Sequence, residues 1–190
     1  MLNIGIVGAG VGGLSCALML KKLGHKVTIF EKQSKSISSG VGIQLSSNAI
    51  RILRLFDLED NIAKIANFPL MVDCINGHNG KKITSIPLGK IAEKKFNAGF
   101  YQLHRNDLIS ILKNKVEDFG IKINYGSPVN NVTQNSSNVK IQLLNHNYNY
   151  DFVIGADGVN SLVRKKIFPN HKPRFLKQVA FRTLIPSKKI

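Results

Sequence analysis

MLNIGIVGAGVGGLSCALMLKKLGHKVTIFE, residues 1–31, is the stretch whose reading decides the fold. Residues 4–7 form a short apolar run, and Gly8-Ala9-Gly10-Val11-Gly12-Gly13 follows at once. Residues 14–23 have the composition of a helix, Gly24 stops it, residues 26–30 are a second apolar run, and Glu31 closes the unit. The order strand, glycine turn, helix, strand, acid is the fingerprint of a dinucleotide-binding βαβ unit. Gly8 permits the tight turn off the first strand, and Gly10 lets the backbone approach a pyrophosphate. Gly13, with the small Ala17 one turn on, lets the helix pack closely. The helix N-terminus offers N–H groups and a partial positive charge to phosphates. Glu31 is placed to accept hydrogen bonds from ribose hydroxyls. On this stretch alone NAD and FAD are served about equally.

Residues 2–20 are almost uncharged and close to the roughly 20 residues of a membrane span. Five glycines fall within them and weaken a spanning helix, and no basic residue precedes the run as a signal peptide requires. They are read as a buried strand and helix.

The 190 residues give room for one domain, or one and a fraction. An apolar content of 43% is that of an ordinary globular protein. Cys16 and Cys74 cannot build a disulfide framework and have no metal-ligand company. Cys16 falls in the first helix and reads as a core residue. With no targeting segment visible, a reducing cytoplasm fits. The net charge of +16 raises the question of nucleic acid or an anionic membrane surface. The basic groups are short and dispersed, as at Lys81-Lys82, Lys94-Lys95, Arg164-Lys165-Lys166 and Lys188-Lys189, without the aromatic interleaving of an RNA-binding surface. Nucleic acid is therefore not expected as a partner, and part of the charge is expected to meet acidic groups in sequence outside this stretch.

Residues 32–39 are polar and read as a loop. Gly40-Val41-Gly42-Ile43-Gln44-Leu45 is a second glycine-rich segment, and Ser46 or Ser47 caps a helix over 48–55 whose apolar positions are Ile50, Leu53 and Leu55. Residues 69–76 and 81–86 form a hairpin about Gly77-His78-Asn79-Gly80. His104-Arg105-Asn106-Asp107 leads into a helix over 108–119 with Leu108, Ile111, Leu112, Val116 and Phe119 on one face, ended by Gly120. Strands are expected over 121–125, 129–133, 139–144 and 150–154. The last runs into Gly155-Ala156-Asp157-Gly158, then a helix start with Ser161 and Arg164. Asp157 is placed either to reach a dinucleotide bound at the first glycine turn or to cap the helix behind it.

Together these motifs resemble the class A FAD-dependent aromatic hydroxylases of the para-hydroxybenzoate and salicylate hydroxylase type. Residues 8–13 with Glu31 resemble the family's FAD fingerprint, and residues 40–49 its glycine-rich loop and following helix. His104-Arg105-Asn106-Asp107-Leu108 resembles its arginine-before-helix element, and Gly155-Ala156-Asp157-Gly158 with Ser161 and Arg164 its Asp-Gly motif. Lys32 departs mildly, since the family often has arginine after the acid.

The resemblance implies FAD as cofactor, NADH or NADPH as electron donor, and a small aromatic substrate hydroxylated with molecular oxygen. It implies a cofactor site of Gly8, Gly10, Val11, Gly12, Gly13, Glu31 and Lys32 around the adenosine and pyrophosphate, with the Val129 backbone beside the adenine. Arg105 and Asp157 would contact FAD, the latter at its ribityl–pyrophosphate portion. Gly42 and Ile43 would border the isoalloxazine ring, Arg164 would handle the nicotinamide cofactor, and Gln44 would face substrate or serve as a structural loop residue. No residue is implied to be catalytic.

The fold class is thus α/β, a Rossmann-like FAD-binding βαβ domain over 1–170, with the beginning of a mixed-sheet substrate domain over 171–190. The hairpin at 69–86 is expected to extend toward that second domain, and residues 179–186 to be its opening strand. The family's third motif, a Gly-Asp pair, has no counterpart through Ile190. The stretch is accordingly expected to be truncated, without hydroxylase activity alone and with weak FAD binding or none. A nicotinamide-dependent dehydrogenase and a non-catalytic flavin-binding fragment stand as alternatives.

Overall fold

In the computed structural model, which describes residues 1–34, 41–183 and 185, β1 (Asn3–Val7) passes through the glycine turn into α1 (Val11–Lys22) and returns as β2 (Lys26–Phe30). The strands pair in parallel, Ile4 beside Val27 and Val7 beside Phe30, so the connection must cross the sheet, and α1 does so. The helix starts at Val11 rather than Leu14 because the turn winds Gly12 and Gly13 into its first turn despite their low propensity. Residues 2–20 are therefore strand and helix, and among the described residues no helix is long and apolar enough to cross a membrane. Cys16 is half-buried rather than sealed in the core.

The chain divides into two compact units, one of residues 1–38 and 112–180, the other of 39–111 and 181–190. The second unit holds β3 (Gly42–Leu45), α2 (Ser47–Arg54), α3 (Glu59–Ala63), β4 (Met71–Ile75), β5 (Lys82–Pro87), α4 (Gly89–Phe96), β6 (Tyr101–His104) and the start of α5 (Arg105–Asp118). Residues 35–40, most of the polar loop and the first glycine of the second glycine-rich segment among them, lie outside the described residues. The rest of that segment runs into β3, which pairs antiparallel with β6. Ser46 is the N-cap of α2 but makes no cap bond to the backbone; its hydroxyl donates to the Asn48 side-chain oxygen instead. Ser47, buried, donates to the Ala98 carbonyl at 2.7 Å. Ile50 and Leu53 enter the core with Phe56, Ile62, Tyr101 and Leu103, while Leu55 stays exposed at the C-cap.

Three elements here escape periodicity. α3 has five residues, α4 buries only Ala92, and β6 has four residues, all too short for a reliable period. The hairpin is present, with Asn76 and Asn79 side chains accepting the His78 and Lys81 N–H groups through the turn and a bulge between Cys74 and Ile75. Every residue of both strands is exposed, and they stand as a two-stranded sheet. Helix α5 begins at Arg105, three residues before Leu108, with the Arg105 N–H donating to the Val41 carbonyl at 3.0 Å.

The first unit resumes with β7 (Lys122–Asn124), β8 (Asn131–Gln134), β9 (Val139–Gln142), β10 (Asn147–Tyr150), β11 (Phe152–Gly155) and α6 (Leu162–Ile167). Strands β11, β1, β2 and β7 form one parallel sheet in that order. Strand order therefore reverses at β1, and the crevice beyond the carboxyl ends of β1 and β11 is the topological switch point of a doubly wound sheet. Strands β8, β9 and β10 make a separate antiparallel sheet. The expected single strand over 150–154 is in fact two. Asp151 breaks it, its N–H donating to the Asn3 carbonyl at 2.9 Å and its carboxylate accepting the Asn3 N–H at 2.7 Å. Tyr150 ends the antiparallel sheet and Phe152 opens the parallel one.

The two sheets meet where β1 carries no side chain. A Cβ on Gly5 would lie 2.8 Å from both Ile141 and Tyr150, and these join Val7, Phe30 and Val163 in one buried cluster. The Phe30 ring meets Tyr148 and Tyr150 at centroid distances of 5.1 and 6.0 Å. The strand expected over 179–186 does not form: residues 179–183 and 185 have no regular structure, and Leu184 and Pro186 lie outside the described residues. Among the described residues nothing pairs with its backbone, and a lone strand leaves its N–H and C=O groups unmatched.

This packing sets two expected outcomes. Ile141→Ala is expected to lower unfolding free energy by about 2–5 kcal/mol, read by urea denaturation; a loss within the surface range would contradict the Gly5 contact. In the second unit Arg54 binds Glu59 through its guanidinium and the Asn97 carbonyl at 3.0 Å, and Tyr101 donates to Glu59 at 3.1 Å. Arg54, and then Tyr101, hold the Glu59 carboxyl below its ordinary range, while burial and Glu59 push Tyr101 up to about 12. A depressed carboxyl stabilises the fold above its unfolded value and ceases to do so as pH falls through its folded value. Melting temperature is therefore expected to fall more steeply on acidification below pH 4.5 for the parent than for Glu59→Gln; parallel profiles would refute it.

Candidate functional site

The first unit places its glycine turn at the switch point. Gly8 adopts φ +104°, and a Cβ there would lie 2.4 Å from the Ala156 carbonyl oxygen, so only glycine fits. The Gly8 N–H donates to the Phe30 carbonyl and the Ala156 N–H to the Val7 carbonyl, each at 2.8 Å. A Cβ on Gly13 would meet the Gly8 carbonyl oxygen at 2.0 Å. Its absence thus serves the turn itself, and not only helix packing on the sheet. Gly12 is different: nothing among the described residues lies within 4 Å of where its Cβ would be.

Gly10 is the extended N-cap of α1, and the first turn contains neither a side-chain cap nor an acid. The first helical bond of this turn runs from the Leu14 N–H to the Gly10 carbonyl at 3.0 Å. The N–H groups of Val11, Gly12 and Gly13 have no partner among the described residues. A helix of 12 residues thus presents free donors and its positive end at an open surface, which suits an anionic phosphate.

Glu31 stands at the carboxyl end of β2 and clasps the turn. One carboxylate oxygen accepts the Ala9 N–H at 2.7 Å, the other the Gln33 N–H at 2.9 Å. Its own N–H donates to the Asn124 carbonyl of β7 at 2.9 Å, and its carbonyl accepts the Ser127 N–H at 2.8 Å. Lys32, next along, is exposed. Tyr125, just past β7, has a buried hydroxyl without a hydrogen-bond partner among the described residues; burial, then Glu117 and Glu31, pushes its ionisation up. Val129 lies half-buried against the core cluster, in the loop just before β8 rather than in a strand.

Asp157 follows β11 and turns onto α6. It accepts the Ser161 hydroxyl at 2.5 Å and the Leu162 and Val163 N–H groups at 2.6 and 3.3 Å. Ser161 in turn accepts the Arg164 N–H at 2.9 Å. The capping role is thus realised in full. The Arg164 guanidinium donates to the Val159 carbonyl at 2.6 Å, while its Nε is buried without a partner among the described residues.

In the second unit Gly42 lies opposite His104 and Ile43 opposite Leu103 on β3 and β6. Gln44 is exposed. Arg105 is the first residue of α5, and its guanidinium has no hydrogen bond or ion pair among the described residues. Asn106 beside it has a buried side-chain oxygen without a donor among the described residues.

Within the first unit, then, Gly8, Gly10, Val11, Gly12, Gly13, Glu31 and Asp157 come together at the switch point, and Gly42, Ile43 and Arg105 share the β3–β6–α5 corner of the second. Ala156 and Tyr125 also belong to the first unit's site, and nothing in the sequence marks them. An alanine between two special residues carries no signal, and a tyrosine ending a strand looks like any other. The free donors at α1, the open face of Gly12 and the acid at the end of β2 fit an adenine dinucleotide.

This fold and site define a dinucleotide-binding α/β protein. The chain belongs to the FAD binding domain family, whose profile matches residues 1–174, and the choice between NAD and FAD falls to FAD. It is 30% identical over 187 residues to 3-amino-4-hydroxybenzoate 2-monooxygenase of Streptomyces cremeus, covering 98% of this chain and 47% of that one. It is 28% identical to 6-hydroxynicotinate 3-monooxygenase of Pseudomonas fluorescens, covering 99% and 49%. The crystal structure of CtdE in complex with FAD and substrate 4 has the same fold, with a TM-score of 0.77 at 24% identity over 87% of this chain and 40% of that one. The chain spans about half the length of the curated relatives it matches.

The two neighbouring glycines separate structure from space. Gly13→Ala is expected to lower the melting temperature sharply, since the Gly8 carbonyl would have to move. Gly12→Ala is expected to melt at or above the parent, because alanine is the better helix former by roughly 1 kcal/mol. Equal melting of the two variants would contradict the geometry.

Proposed function

We propose that this chain is the FAD-binding part of an NADH- or NADPH-dependent monooxygenase that hydroxylates a small aromatic ring with molecular oxygen. The observation that carries the reading is the match, along nearly the whole chain, to monooxygenases of hydroxylated aromatic and pyridine acids. Bound FAD would supply the redox chemistry, with the nicotinamide cofactor as the source of electrons and molecular oxygen as the source of the atom added to the ring and of the water released.

This chain's own residues bind and orient. The free N–H groups of Val11, Gly12 and Gly13 receive the pyrophosphate, with Gly8 and Gly10 shaping the approach. Glu31 holds the adenosine ribose. Its oxygens already accept one N–H each and keep further lone pairs, so the carboxylate is immobilised yet able to accept. Lys32 and the Val129 backbone lie on the adenosine side. Asp157 acts on the ribityl–pyrophosphate portion from a turn that its own capping bonds hold rigid. Gly42 and Ile43 border the flavin ring, Arg105 contacts FAD, Arg164 serves the nicotinamide cofactor and Gln44 faces the substrate. No side chain here is assigned proton transfer.

By this reading residues 1–170 form the FAD-binding domain and residues 171–190 open the substrate domain, toward which the hairpin at 69–86 extends. A reducing cytoplasm suits the free cysteines, Cys16 and Cys74.

Titration with FAD, followed by flavin absorbance and fluorescence, tests the assignment. In the whole protein, Gly12→Ala, whose methyl would occupy the open space that the pyrophosphate needs, and Glu31→Ala, which removes the acceptor for the ribose hydroxyls, are each expected to weaken FAD at least about tenfold while remaining folded. In the whole protein, NADH or NADPH oxidation is expected to rise with an aromatic acid and to yield hydroxylated product. NAD binding without flavin, or undiminished FAD binding by both variants, would overturn the reading.

A further inference from the structure

We propose that Ala156 is a positioning residue for the cofactor, whose small side chain keeps room for a pyrophosphate between the end of β11 and the first turn of α1. This role rests on the reading of the chain as an FAD-binding domain, and it adds a residue to the glycines and acids already placed there.

Three contacts converge on Ala156, all within the first unit. Its carbonyl oxygen lies 2.4 Å from where a Gly8 Cβ would be. Its N–H donates to the Val7 carbonyl at 2.8 Å, which holds the end of β11 beside the end of β1. Its methyl lies 3.3 Å from where a Gly13 Cβ would be, so the side chain faces the first turn of α1. Behind it the strand has no room to retreat. A Cβ on Gly155 would meet the Val163 Cβ of α6 at 2.7 Å, and the Asp157 carboxylate accepts the Leu162 and Val163 N–H groups. The backbone over 155–157 is thus backed by α6 on one side and by the glycine turn on the other.

A larger side chain at 156 therefore has two places to go. It can push the first turn of α1 away, and with it the N–H groups of Val11, Gly12 and Gly13. Otherwise it enters the crevice that those groups face. Either outcome falls on an anion at the helix N-terminus, and not on the ribose side at Glu31 or the corner at Gly42 and Ile43. Filling the core does not explain the alanine, because Ala156 is half-buried and is not one of the buried core residues.

Titration of the whole protein with FAD, followed by flavin fluorescence, decides the matter. Ala156→Val is expected to fold, by circular dichroism, and to bind FAD at least about tenfold more weakly, the scale of an overpacked contact. ADP carries the same pyrophosphate, and its competition for the site is expected to weaken by a similar factor. Ala156→Ser, one atom larger and unbranched, is expected to stay within about threefold of the parent. Ile141→Ala, which loosens the junction of the two sheets, is the control for lost stability. At a temperature where it is fully folded, it is expected to bind FAD within about threefold of the parent. A parent that binds no FAD would overturn the underlying reading. With a parent that binds, four results would each overturn the role of Ala156 alone: undiminished FAD binding by Ala156→Val, a loss that ADP does not share, an equal loss from Ile141→Ala, or failure of Ala156→Val to fold.

Discussion

The close approach of two strand ends governs this molecule. Where β1 and β11 leave the parallel sheet, the Gly8 α-carbon sits so near the Ala156 carbonyl that a methyl group would lie 2.4 Å from the oxygen. That contact lets the turn close, brings α1 round over the sheet and sets the free N–H groups of its first turn at the switch point. A second contact of the same kind, Gly13 against the Gly8 carbonyl, holds the turn from its other side. Side chains at either place would push the helix away and with it the donors that face an anion.

Two carboxylates then stabilise what the glycines permit. Glu31 takes the Ala9 N–H and ties β2 to the turn, while Asp157 takes the Ser161 hydroxyl and two N–H groups of α6. The sequence motifs point both residues at the cofactor, and the fold engages both with backbone. The two roles are compatible. A carboxylate with spare lone pairs that is already oriented loses little freedom when it accepts one more donor. Asp157 differs in degree, since three of its acceptor positions are occupied. Its contribution to a ligand runs through the geometry of the turn more than through a free oxygen.

The second unit is built differently. Its core is assembled from short pieces, α2, α3, α4 and the β3–β6 pair, with the Arg54–Glu59–Tyr101 group fastening α2 and α3 to β6. Its hairpin remains exposed on both faces. Met71, Ile75, Ile83 and Ile86 are all exposed on it.

The sequence by itself determined the opening βαβ unit, the hairpin, the body of α5 and the identity of the cofactor class. Each rests on local rules: apolar runs of the right length, glycines where backbone must come close, and an acid after the second strand. Only the tertiary structure decided the rest. Asp151 divides one apolar run between two sheets because its N–H and carboxylate both meet Asn3, a residue far away in the chain. Residues 179–183 form no strand because pairing needs a partner, which no local pattern supplies. Gly13 and Gly12 are adjacent and identical in sequence. Yet one abuts a carbonyl and the other faces open space, and that difference exists only once the strand ends have met.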